Sequence, residues 1–176
     1  MPLPLSAAGT SDAFAFSGRL AVHERDDNLA GSVHWRHEAA RDDILLSTPL
    51  GQGVAQIVND AGGATLTTSD GKTYRAADAE QLTANITGWR IPVSGLTFWL
   101  RGLPQAGRTA QEQRDDKGRL KLLAQDEWRI EYPAYFEAPD DRLPKRVVLT
   151  RPGFEFKLVI DSWERSANSA PPAQTR

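Results

Sequence analysis

Cysteine is absent from the chain, which excludes disulfide staples, thiolate metal sites and cysteine nucleophiles but leaves the compartment open. Neither sign of charge dominates. Against 23 Asp and Glu stand 21 Lys and Arg, for a formal net charge of −2, and no basic run stands out. The electrostatic footprint of a nucleic-acid binder, or of a protein held on anionic lipid by charge, is therefore missing. Any membrane contact has to be apolar or covalently anchored. Long hydrophobic runs are missing too: residues 1–10 carry neither a basic region nor a sustained apolar core. They spell neither a complete signal peptide nor a transmembrane span, so an exported form needs a signal that they do not supply. Histidine is scarce, with only His23, His34 and His37. A three-residue step along a strand turns His34 and His37 to opposite faces, so no shared metal is expected. Paired aspartates at 26–27, 42–43, 115–116 and 140–141 fall where turns are expected, without EF-hand spacing and without a nucleophile motif. No enzyme activity, cofactor or metal is expected.

What is present is the composition of one ordinary globular domain, 176 residues with 40% hydrophobic, enough for a sizeable core. Phe14, Phe16, Gly18, Leu20 and Val22 share one phase of a two-residue period, and Val33 and Trp35 repeat it after Asp26-Asp27-Asn28, as in a long hairpin. Further strands are expected at 44–47, 54–58, 64–68 and 72–75. The period then changes. Asp78 can cap a helix whose Ala79, Leu82 and Ile86 share a face before Gly88 ends it. Ser94 can cap a second, in which Leu96, Trp99, Leu100 and Leu103 follow helical spacing up to the segment Gly102 to Pro104. Alternation returns at 109–114, 120–124, 128–132, 146–150 and 154–161, for about eleven strands in all. Residues 1–12 are expected to be a flexible lead-in, 13–165 the domain, and 166–176 a disordered tail of small, polar and proline residues.

A meander interrupted by two helices has no βαβ crossovers. The economical arrangement is one strongly curved antiparallel sheet, a barrel or half-barrel, with the helices on its concave face. Such a fold leaves room for an apolar ligand. Candidate wall residues are Val33, Trp35, Phe154, Phe156, Leu158 and Ile160 on strands, with Leu96, Trp99, Leu100 and Leu103 on a helical lid. Such stripes make a filled core far more often than a ligand pocket, and sequence does not separate hollow from filled.

One turn is unusual. In Ser47-Thr48-Pro49-Leu50-Gly51-Gln52-Gly53, Pro49 presets φ and Gly51 gives a permissive exit, which displays Leu50 at a tip that normally carries a polar residue. A contact with something apolar is one reading; a lone apolar surface residue, or a leucine folded back on the core, is the ordinary one.

The motifs Gly18-Arg19-Leu20-Ala21-Val22, Trp35, Pro49-Leu50-Gly51, Gly88-Trp89-Arg90-Ile91-Pro92, Trp99-Leu100-Arg101-Gly102-Leu103-Pro104, the stretch Trp128 through Tyr132 and Ile160-Asp161-Ser162-Trp163 together resemble the LolB family of outer-membrane lipoproteins, in order and over roughly Phe14 to Glu164. The resemblance implies a mainly β protein with helices: an unclosed antiparallel β-barrel with a helical lid over a hydrophobic cavity. It implies a lipoprotein receptor and insertase that accepts triacylated lipoproteins from the periplasmic carrier LolA. Delivery is to the inner leaflet of the outer membrane, without nucleotide, cofactor or metal, and Leu50 stands where the family has its membrane-inserting leucine. A monomer at the periplasmic face of the outer membrane is expected, with no nucleic-acid partner. The family's lipidated amino-terminal cysteine has no counterpart here, and where the family has an amino-terminal helix before its first strand, Met1 to Asp12 is short and rich in small residues. The alternatives are a periplasmic barrel that binds a lipid or small hydrophobic ligand without insertion, for which a displayed Leu50 has no use, and a structural module with no internal site.

Overall fold

The computed structural model describes residues 13–48 and 53–164. The expected hairpin is Phe14–Glu24 (β1) against Asp27–Glu38 (β2), paired along its whole length and turned at Arg25 and Asp26, with Asp27 and Asn28 already on β2. On the inner face Phe16, Val22, Val33 and Trp35 are buried. Arg41–Ser47 (β3), Gly53–Asp60 (β4), Gly63–Thr68 (β5) and Thr73–Ala76 (β6) continue the meander to a free edge. Between β2 and β3 the two-residue turn is made by Ala39 and Ala40 at φ 52° and 60°, a left-handed conformation that ordinarily selects asparagine or glycine.

After the helices a second meander runs back from the other edge: Ala110–Arg114 (β7), Leu120–Gln125 (β8), Trp128–Tyr135 (β9), Pro144–Arg151 (β10) and Phe154–Glu164 (β11). β11 pairs with β1, so the order is β6-β5-β4-β3-β2-β1-β11-β10-β9-β8-β7, antiparallel throughout. The barrel is not closed, because β6 and β7 each keep one unpaired side. The chain crosses from one edge to the other through the helices.

The first helix, Ala79–Thr87 (α1), starts as its sequence requires: the Asp78 carboxylate accepts from Gln81 N at 2.7 Å, and Gly88, left-handed at φ 80°, ends it by donating to Ala84 O. Leu82 and Ala79 are buried, and α1 rests on β5 and β6. The second, Val93–Trp99 (α2), differs from expectation at both ends. Ser94 lies inside the first turn and is not its cap. Its N–H and Oγ both donate to Glu80 Oε1 of α1, at 2.8 and 2.6 Å, so the acidic side chain of one helix satisfies the start of the next. At the other end Gly102 N donates to Trp99 O and Leu103 N to Phe98 O, with Gly102 at φ 73°. This Schellman-type reversal puts Leu103 beyond the helix, 44% exposed, and breaks the helical spacing that made it a lid residue.

Pro49, Leu50 and Gly51 lie outside the described residues, as do residues 1–12 and 165–176. The strands that flank the turn are described: Ser47 pairs with Gly53, and Ser47 also pairs with Ser32 of β2. β3 therefore ends, and β4 begins, towards the same end of the sheet as the β1–β2 hairpin.

Candidate functional site

Under α1 the concave face encloses an apolar cavity of about 120 Å³. Its sheet wall comes from β1 (Phe16, Leu20, Val22), β2 (Leu29, Val33, Trp35), β3 (Ile44, Leu46), β4 (Ile57), β5 (Leu66) and β11 (Phe156, Leu158). The facing wall is Thr83, Ile86 and Thr87 of α1, Trp89 and Ile91 of the linker, and Val93 and Leu96 of α2. Leu29 and Ile86 are 46% and 37% exposed and mark the mouth, whereas Phe16 and Trp35 are buried and mark the floor.

The wall is apolar because every polar group near it is turned elsewhere. Thr83 Oγ1 donates to Glu80 O and accepts from Ile91 N, and Thr87 Oγ1 donates to Thr83 O and accepts from Trp89 N. Only their methyl groups are left for the cavity. Trp35 Nε1 donates to Asp42 Oδ1 at 2.9 Å. Asp42 is itself buried and accepts further hydrogen bonds from His37 Nδ1 at 2.7 Å and Asn59 Nδ2 at 3.2 Å. Burial alone would raise the Asp42 pKa; the three hydrogen bonds outweigh it and hold the carboxyl below its ordinary value of 3.8.

Of the residues expected to line a cavity, the structure brings Val33, Trp35, Leu96, Phe156 and Leu158 together around this one. The other five are placed elsewhere. Leu100 and Ile160 are fully buried in the core, and Leu103 is at the surface. Phe154 packs edge-on between Trp89 and Trp128. Trp99 is buried against the second meander and faces a separate, mainly polar cleft with Arg90, Arg108 and Arg151. The reason is the shared element Gln125 of β8, 1% exposed, whose Oε1 accepts from Trp99 Nε1 at 2.9 Å and Gln105 N at 2.8 Å. Its Nε2 donates to Gln105 O and Arg108 O, and Tyr132 OH donates to Trp99 O at 2.7 Å. The end of α2 is thereby pinned to β8 and β9. Burial pushes the Tyr132 pKa well above its usual value, so this donor stays protonated.

Gln125 carries no signal in the sequence, and Asp42, expected with Asp43 in a turn, instead lies on the paired strand β3 with its side chain buried. The signal for Asp42 was available, since it shares the parity of Ile44 and Leu46 on an inward-facing strand. His34 and His37 do lie apart: His34 pairs with Glu164 at the surface and His37 with buried Asp42. Among the described residues no helix is long and apolar enough to cross a membrane.

Comparison with known proteins places this geometry. The sequence profile described as "Outer membrane lipoprotein LolB" matches residues 12–163. Outer-membrane lipoprotein LolB of Nitrosomonas europaea is 35% identical over 170 residues, covering 96% of this chain and 80% of that one. Its counterpart in Thiobacillus denitrificans is 38% identical over 164 residues, covering 93% and 84%. Among solved structures, a LolA superfamily protein from Nitrosomonas europaea superposes with a TM-score of 0.53 at 8% identity, over 90% of this chain and 88% of that one, a likeness of fold alone.

Proposed function

The chain belongs to the LolB family of outer membrane lipoproteins, and from that premise we propose that its cavity receives the acyl chains of triacylated lipoproteins. They arrive from a LolA-like periplasmic carrier and leave into the inner leaflet of the outer membrane. One observation carries the reading: a wall from which every nearby hydroxyl, carboxylate and indole N–H is turned away, entered between Leu29 and Ile86. Such a wall suits hydrocarbon and little else. At about 120 Å³ the cavity is smaller than the about 300–1,000 Å³ of ordinary ligand sites. Entry therefore needs one wall to move. The sheet wall is laddered by backbone hydrogen bonds, and the end of α2 is pinned through Gln125, so the moving wall is α1, which gives up the Glu80 hydrogen bonds to Ser94 as it moves.

Each buried CH₂ contributes ~0.8 kcal/mol, so cargo crosses between apolar sites and not through water. Handover follows the order of affinities, from carrier to this chain to bilayer, and needs no covalent step. Leu50, presented by Pro49 and Gly51, is the proposed membrane contact, because burying one leucine is worth ~1.5–3 kcal/mol, enough for transient contact and too little for anchorage. The test is to mix the chain with LolA loaded with a triacylated lipoprotein and locate the cargo by pull-down, then add liposomes. Cargo is expected on this chain first and in the liposomes second. Leu50→Glu is expected to keep the first step and lose the second. Cargo that stays on LolA contradicts the acceptor role. Binding by the parent chain without deposition would leave a lipid-binding barrel, and deposition by Leu50→Glu would remove the role of that leucine.

A further inference from the structure

We propose that Trp35, held in place by Asp42, is a ruler that fixes the length of acyl chain the cavity admits; the proposal rests on the reading of the cavity as an acyl-chain site. The inward positions of β2 run from Leu29 at the mouth through Val33 to Trp35 at the floor. Six residues of strand span about 20 Å. Half the hydrocarbon core of a bilayer, the depth that one leaflet's chains fill, is about 15 Å. The groove is therefore about as deep as one membrane acyl chain is long.

The floor is firm for two reasons. Below the indole lies packed aromatic core, with the ring centroids of Phe14 and Phe16 at 5.9 and 6.1 Å from Trp35 and Trp163 at 5.2 Å from Phe16. The indole cannot swing aside without giving up its hydrogen bond to Asp42, which is 4% exposed and already bound by His37 and Asn59. Moving away from Asp42 would strand a buried carboxylate short of a donor. Both floor residues stand on paired strands, β1 and β2, while the facing wall that moves is helical. Opening widens the cavity and leaves its depth unchanged.

The experiment is displacement of an apolar fluorescent probe by straight-chain fatty acids of increasing length, each kept monomeric. For the parent chain, affinity is expected to rise about fourfold per added methylene, then to stop rising at a break length. Trp35→Phe, which keeps an aromatic core, and Trp35→Ala are expected to move the break to longer chains, in that order. Leu29→Ala, at the mouth, is expected to weaken all lengths alike without moving the break. Folding of each variant is checked by its urea midpoint, and the phenylalanine variant carries the test should the alanine variant fail to fold. An unchanged break in folded Trp35→Phe overturns the ruler while keeping the acyl site. Absence of displacement by any fatty acid from the parent chain overturns the acyl site, and the ruler with it.

Discussion

The two halves of the unclosed barrel treat the same kind of inner face in opposite ways. The first meander, β1 to β6, stays hollow under α1. The second is filled at β8 to β10, where Trp99 and Leu100 of the α2 segment lie among Leu120, Leu123, Ile130, Val147 and Leu149, all of them 1% exposed or less, while its β11 lends Phe156 and Leu158 to the cavity wall. The difference lies in what holds each helix. α2 delivers a tryptophan whose N–H and backbone C=O both find partners on β8 and β9. α1 is amphipathic, rests on β5 and β6, and leaves Ile86 at the mouth. One half supplies stability and the other supplies space.

If this division is right, changes in the filled half cost stability and changes in the hollow half cost ligand affinity. Trp99→Ala is expected to destabilise most, by about 3–5 kcal/mol, through the cavity it opens; urea denaturation measures it. Gln125→Leu follows at about 2–3 kcal/mol, because the Gln105 N–H, the Arg108 carbonyl and the Trp99 N–H lose their shared partner. Neither change touches the wall of the cavity, so any variant that remains folded should bind an apolar probe with parent affinity.

Asp42→Asn supports the floor less well and is expected to cost about 1–2 kcal/mol at neutral pH. The sign with pH follows from the depressed pKa of Asp42. Its contribution is complete above the unfolded value, and it is lost as pH falls below 3.8 and through the lower folded value. The parent chain should therefore lose stability along this acid limb, and the asparagine variant should show a shallower one. Ile86→Gln is the smallest change for stability, within about 0.5 kcal/mol at a partly exposed position. Its effect should appear in probe titration as weaker binding. Equal loss of stability in Ile86→Gln and Trp99→Ala would break the comparison.

Much of this fold was legible because patterning is local. Asp78 and Gly88 bound α1 where their capping chemistry predicts, and the strands follow their two-residue period. Three features were not legible, each for a physical reason. The Ala39-Ala40 turn carries no turn chemistry, its left-handed backbone being imposed by the paired strands. The cap of α2 comes from Glu80, fourteen residues earlier, a partner that only tertiary structure brings near. The division between hollow and filled halves depends on which apolar stripes meet. Trp99 and Leu96 have the same helical signal, yet Gln125 draws one into the core and leaves the other on the cavity wall.

Hydrogen exchange of the chain with and without a bound fatty acid tests the division most directly. The amides of α1, residues 79–87, should change their exchange on binding, while those of β8 and β9, residues 120–125 and 128–135, stay as they were. A ligand-induced change in β8 and β9 with α1 unaffected would contradict this division, placing the ligand in the filled half.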